Sequence, residues 1–289
     1  LRFGYRRWTT SLEAMLADPQ IDAVILASPS ERHVEHALAC VAAGKPALVE
    51  IPLAMRLADA ERVVAAAEAA GVMLAMCHPM RFRREREPLL ARLATGEEHL
   101  RHLAGRFFIP RLENVGATGY RRSWTDNILW HHFCHFVDLA VQLMGLDRTP
   151  PKKIQSYMGK PHAKTGIPME CVVLLETEAD QSFLVHGSYH ASFRLYDKLL
   201  VTDRDTYLFD ILKATLTTRE GTVAIEEEET NCARVTRDFV LALAEGRPPR
   251  VPAAAALPAL RILQAVQDAW DAEHGPMDLP GRRFGREKP

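Results

Sequence analysis

No G-x-G-x-x-G run occurs anywhere in the 289 residues, so the most recognisable cradle for a dinucleotide pyrophosphate is missing. Nor is there a run of about 18–20 apolar residues, which leaves no candidate for a membrane-spanning helix. The first seven residues, Leu1 to Arg7, hold no apolar stretch of the signal-peptide kind. The five cysteines (Cys40, Cys77, Cys134, Cys171 and Cys232) are odd in number and scattered, with no C-x-x-C pair. Reduced thiols and a cytoplasmic setting are therefore expected. H-E-x-x-H is also absent, and His131 with His135 finds no obvious third zinc ligand, so no metal is expected. A net charge of -1 gives no general reason to bind nucleic acid or an anionic membrane. The short arginine clusters (Arg81, Arg83, Arg84 and Arg86; Arg121 and Arg122) read as solvated surface. The sequence opens on Leu rather than Met, and we expect an incomplete N-terminus.

What is present is an alternation of short apolar runs and longer amphipathic ones. Ile21 to Ala27 is nearly continuous apolar, as expected for a strand buried on both faces of a parallel sheet. A helical stretch follows from about Glu31 to Ala43, with Gly44 as its left-handed cap. Pro46 to Glu50 is a second strand, Ala58 to Ala70 a second helix ending at Gly71, and Val72 to Cys77 a third strand. This order implies parallel strands with right-handed crossovers. Ligands of such sheets bind beyond the strand carboxyl ends, here Ser28-Pro29-Ser30, Glu50-Ile51-Pro52 and Cys77-His78. Glu50 can touch a ribose hydroxyl or merely begin a turn. The strand, glycine turn and second strand that normally open a dinucleotide fold take roughly 60 residues. They do not precede Ile21.

Beyond Arg101 the pattern changes. A strand to Ile109, a polar loop to Trp124 and a helix from Asp126 to Met144 come first. Leu129, Phe133, Phe136, Ala140 and Leu143 form the buried stripe of that helix. Strand-like runs follow at Ile154–Met158, Glu170–Thr177, Gln181–His190, Leu199–Thr202, Thr206–Leu212 and Thr222–Glu226, favouring an antiparallel sheet. Helices near Thr236–Glu245 and Ala253–Ala272 can return to the first domain. The reading is an α/β Rossmann-like parallel sheet, N-terminally incomplete, over residues 1-100. An α+β domain with an open, mainly antiparallel sheet takes residues 101-289.

The chemistry concentrates around Trp124. His131, His135 and Asp138 lie at i, i+4 and i+7, on one helical face apart from the apolar stripe. Histidine titrates near neutral pH, which suits a base acting while an alcohol is oxidised. Asp138 can orient His135 or cap a backbone group. Trp124, Asp126 and His132 stand beside them as substrate contacts, and Arg122, Arg111 and Arg81 can clamp carboxylates. A surface arginine remains the bland alternative for each.

These residues resemble the Gfo/Idh/MocA oxidoreductases. The resemblance rests on Asp22 to Pro29 with His33, on Ala43 to Leu53, on His78 with Arg81-Phe82, and on His135-Phe136-Val137-Asp138. It spans essentially the whole chain and implies a Rossmann domain, an open-sheet domain that often makes oligomer contacts, and NADP or NAD. Ser28, Pro29, Ser30, His33, Glu50, Ile51, Pro52 and His78 are then the cofactor-side residues, and a dimer or tetramer is expected. Two departures stand out. Ile51 replaces the family's proton-transferring lysine in Glu-Lys-Pro, and His131 replaces the aspartate of Asp-x-x-x-His. Val49 to Leu53 and the run from Arg122 to His132 are similar to one branch of the family. Its implied reaction oxidises the cyclic hemiacetal of a carboxylated semialdehyde to a pyrone dicarboxylate, in aromatic catabolism. Two other readings stay open: a family dehydrogenase for another carboxylated or cyclic substrate, and a cofactor-sensing homologue without turnover.

Overall fold

The computed structural model describes residues 4–115, 119, 121, 124–226 and 228–277. After a short helix α1 (Leu12–Leu16), strands β1 (Val24–Leu26), β2 (Ala47–Glu50) and β3 (Leu74–Cys77) form a parallel sheet in that order. Helices α2 (His33–Ala42) and α3 (Leu57–Ala70) link them. Two right-handed crossovers in one direction place both helices on the same face, where they pack together. Gly44 and Gly71 take positive φ, of 64° and 63°, which frees the chain to leave each helix. β2 and β3 are buried on both faces, but Ile25 in β1 is 56% exposed. β1 is thus an edge strand with one open face, not the doubly buried strand that its apolar run suggests.

Helix α4 (Glu87–Thr95) leads into β4 (Leu100–Pro110), the centre of an eight-stranded mixed sheet. A π-helical turn (Leu129–Phe133) and α5 (Cys134–Met144) follow. Then come β5 (Lys153–Met158), β6 (Glu170–Glu176), β7 (Ser182–Ser188), β8 (His190–Thr202), β9 (Thr206–Asp210), β10 (Thr215–Thr218) and β11 (Gly221–Ala224). The spatial order is β11-β10-β9-β8-β4-β7-β6-β5, antiparallel throughout except for β4 beside β7. β8 begins nine residues before the expected Leu199, because Arg194, Asp197 and Lys198 break the apolar signal of its first half. β10 was not anticipated either, since Thr215-Leu216-Thr217-Thr218 offers one apolar residue in four.

Helix α5 lies on the inner face of this sheet, with Phe136 over Gly105, and is buried on nearly every side. The expected stripe is therefore wider than drawn: Cys134, Val137, Asp138, Leu139 and Val141 are buried as well. Helix α6 (Asn231–Glu245) packs by β3, and α7 (Leu257–His274) touches α3, α5 and β5. Between them Met76 N donates to Val251 O at 2.9 Å, so the returning chain extends the edge of the parallel sheet. No helix among the described residues is long and apolar enough to cross a membrane.

Candidate active site

His131 and His132 stand on the π-helical turn and His135 on the α5 turn that follows, and their rings have different surroundings. His131 turns toward the carboxyl edge of the parallel sheet. Its Nδ1 lies 3.0 Å from Asp126 Oδ2, and the same oxygen accepts from Ser30 Oγ at 3.0 Å. A carboxylate only accepts, so His131 donates from Nδ1, and in the neutral ring the lone pair is then on Nε2. Burial opposes charge on Asp126, yet the bonds from His131 and Ser30, with Arg111 nearby, hold it below the ordinary carboxylate range. Asp126 is 4% exposed, so it orients His131 from behind and is not the substrate contact expected from the sequence.

His132 and His135 face a cleft of about 620 Å³ that also takes in Met80, Phe107, Arg111, Arg194 and Tyr196. His132 Nδ1 meets Tyr189 Oη at 2.7 Å, and its ring stacks on Phe107 with centroids 4.2 Å apart. Arg111 Nη1 stands 3.5 Å from His132 Nε2, while Nη2 donates to Asn114 at 2.7 Å. The guanidinium lies 5.5 Å from the Trp124 ring and 5.6 Å from Tyr189, a pair of aromatic faces that fixes its plane. Burial, then the nearby His131 and Arg111, pushes the His132 pKa well down. Burial, then His78 and Lys198, lowers His135 to about 3. Both rings are neutral at physiological pH.

Asp138 does not hydrogen-bond to His135 and does not cap the backbone. Its two oxygens take Arg81 Nε at 2.8 Å and Nη2 at 2.6 Å, and His78 Nδ1 stands 3.4 Å away without hydrogen-bond alignment. Burial opposes the Asp138 charge, but His78 and Arg81 outweigh it and keep the carboxyl low. Arg81 is thereby committed inside the protein, with a further bond to Ala255 O, and is absent from the cleft wall. Arg122 lies outside the described residues. His33, expected at the cofactor, is 1% exposed and spans Pro52 O at 2.7 Å and Ser28 O at 2.8 Å. It ties the first two strand ends together rather than meeting a ligand. The Ile51–Pro52 bond beside it is cis. His78 is likewise buried, at 3%.

Sequence reasoning missed Arg194, Tyr196 and Tyr189. The signal was present in outline, because Arg194 and Tyr196 alternate along one face once β8 is extended back to His190.

Ser28, Ser30, Glu50 and the Ile51-Pro52 turn lie at the carboxyl ends of β1 and β2, the edge where such sheets take their ligands, and Glu50 is half-buried opposite Cys77. The glycine loop that would hold the pyrophosphate is not in the sequence.

Residues 2–78 match a family described as oxidoreductases with an NAD-binding Rossmann fold, and residues 87–217 match the bacterial oxidoreductase C-terminal family. The 4-carboxy-2-hydroxymuconate-6-semialdehyde dehydrogenase of Sphingobium sp. (strain NBRC 103272 / SYK-6) is 31% identical, across 92% of this chain and 84% of its own. An inositol 2-dehydrogenase of Acidothermus cellulolyticus is 27% identical over 81% of this chain and 63% of its own. In three dimensions, an oxidoreductase of Magnetospirillum magnetotacticum MS-1 superposes with a TM-score of 0.76, at 24% identity, covering 89% of this chain and 83% of that one. An Agrobacterium radiobacter oxidoreductase, solved with NAD+, L-tartaric acid and magnesium, reaches 0.75 at 16% identity, covering 93% and 83%.

Proposed function

The chain belongs to the Gfo/Idh/MocA family of NAD(P)-dependent oxidoreductases, and from that premise we propose that it oxidises a carboxylated cyclic hemiacetal to a lactone. The substrate that best suits the cleft is the hemiacetal form of 4-carboxy-2-hydroxymuconate-6-semialdehyde, giving 2-pyrone-4,6-dicarboxylate. The observation that carries the reading is the pairing of Arg111 and Arg194 with neutral imidazoles at one cleft. A dianion needs such cations, whereas a neutral polyol gives their charge nothing to neutralise. The similarity to a dehydrogenase of that semialdehyde, across 92% of this chain and 84% of the relative, supports the same choice.

A nicotinamide held at Ser28, Ser30 and Glu50 would supply the oxidant. The protein's own part is the proton. His131, with its lone pair on Nε2 and Asp126 behind Nδ1, takes it from the hemiacetal hydroxyl, and the carboxylate stabilises the imidazolium that results. His135 stays neutral and hydrogen-bonds the ring oxygen, while neutral His132, held between Tyr189 Oη and Arg111 Nη1, positions that guanidinium. Arg111 and Arg194 bind carboxylates and fix the face presented to the cofactor.

Separate replacement of His131 and His135 by Asn tests this. His131→Asn should lower kcat by about 10²- to 10⁴-fold while cofactor affinity stays the same, and His135→Asn should act mainly on KM. Unchanged turnover of the semialdehyde by His131→Asn would sink the assignment. Turnover of myo-inositol in preference to the semialdehyde would sink the substrate.

A further inference from the structure

Along β8, Arg194, Tyr196, Lys198 and Leu200 follow one another at every second position, so they share one face of the sheet. Arg194 and Tyr196 line the cleft, and Leu200 is core at 0% exposure. Lys198 stands between them where an apolar side chain would be expected, and it is only 1% exposed. Its ammonium has poor company. Nζ reaches Met80 Sδ at 3.0 Å, with the Phe136 and Tyr196 ring centroids 5.1 and 5.3 Å away. Among the described residues no carboxylate lies at ion-pair distance. Two carboxylates in its surroundings are already held, Asp138 by Arg81 and Glu85 by Arg83. Arg86 beside them is 3% exposed with Nε and Nη1 unbonded, so the cluster has a surplus of positive charge.

A buried lysine without a counterion is disfavoured as a cation and is most often retained for a function. We propose that Lys198 is a further substrate-binding residue, a buried amine screened from the cleft by Met80, which meets a substrate carboxylate when that flexible thioether moves aside. This rests on the dicarboxylate reading above and adds to it: Arg111 and Arg194 hold one carboxylate, and Lys198 holds the other. Met80 itself borders the cleft, so the amine is one side chain away from it. Methionine, unbranched and with three rotatable bonds, makes an easily displaced screen.

The arrangement has a consequence for protons. Burial, reinforced by Arg86 and Arg83, places the Lys198 pKa well below the ordinary lysine value. The groups facing it are Arg83, Glu85 and Arg86 before α4, His135 and Asp138 on α5, and Tyr196 on β8. Its sheet neighbours Gly105 and Phe209 do not titrate. An arriving carboxylate favours the ammonium, so binding should draw a proton from solvent.

The test is calorimetry on the cofactor-saturated protein at pH 8, in buffers of different ionisation enthalpy, with isophthalate as dicarboxylate probe and benzoate as monocarboxylate control. The wild type should prefer isophthalate and take up protons as it binds. Lys198→Met, which keeps an apolar chain of similar length and should fold, is expected to lose isophthalate affinity by about tenfold or more. It should also lose the proton uptake and bind benzoate as before. Uptake that survives in K198M belongs to a histidine and overturns the proposal, as does retained isophthalate affinity. Failure of the wild type to bind isophthalate overturns the dicarboxylate reading as well, so the two failures are distinguishable.

Discussion

A histidine that accepts a proton leaves a positive ring behind, and Asp126, 3.0 Å from His131 Nδ1, is placed to hold it. Asp126→Asn keeps a polar group there but removes the charge and frees the ring to change tautomer. Steady-state kinetics should then record a kcat lower by about 10²- to 10⁴-fold, as for the carboxylate of other histidine dyads. KM should change far less. An equal loss in both would mean that Asp126 serves substrate binding instead. His131, His132 and His135 were legible in the sequence because three imidazoles within five residues are hard to place in a core. The partners were not legible. Asp126 stood out as polar and was read as a substrate contact, yet its bond to Ser30 joins residues 96 apart in the chain. Arg81 and Asp138, 57 apart, found each other through the same long-range folding and left the roles first read for them.

At the scale of elements, β4 and β7 are the one parallel pair in their sheet, and Phe107 sits directly opposite Gly187. A Cβ on Gly187 would run into the Phe107 carbonyl, which is backbone and cannot swing away. A Cβ on Gly105 would instead meet the Phe136 ring, a side chain with some freedom. Both Ala variants overpack, at about 1–3 kcal/mol for an ordinary core site. Gly187→Ala should be the worse of the two in denaturant unfolding, and the reverse order would contradict the packing. Asn127 ties the other wall: Oδ1 accepts from Leu129 N at 3.0 Å and Trp130 N at 3.2 Å, while Nδ2 reaches Gln267 on α7 at 3.1 Å. The strand–helix alternation of the first sheet and the run of later strands could be read from apolar periodicity. The π-helical turn could not, because one added residue barely disturbs a periodicity spread over the whole helix. That turn nonetheless carries His131 and His132, while His135 stands just beyond it on α5.

For the molecule as a whole, the same buried imidazoles that suit the cleft make folding sensitive to acid. Burial, as the largest cause, lowers the pKa of His78, His132 and His135, the last to about 3. An unfolded histidine titrates near 6.5. Below that value the unfolded chain binds protons that the folded chain refuses, so stability falls as pH falls and is fully present only above about 6.5. Asp126 and Asp138 act in a different window. Their folded pKa values lie below the ordinary carboxylate value, so their contribution stays intact until the pH drops through about 4. Between about pH 6.5 and 4.5 the loss therefore belongs to the histidines, at about 1.4 kcal/mol per pH unit for each ring that stays neutral. Urea unfolding across that window should show a steep, progressive fall, and His135→Gln should make it shallower. A flat profile from pH 6.5 to 4.5 would mean that these rings accept protons in the folded state. They would then be charged in the cleft, and neutral imidazoles could not be what positions the hemiacetal.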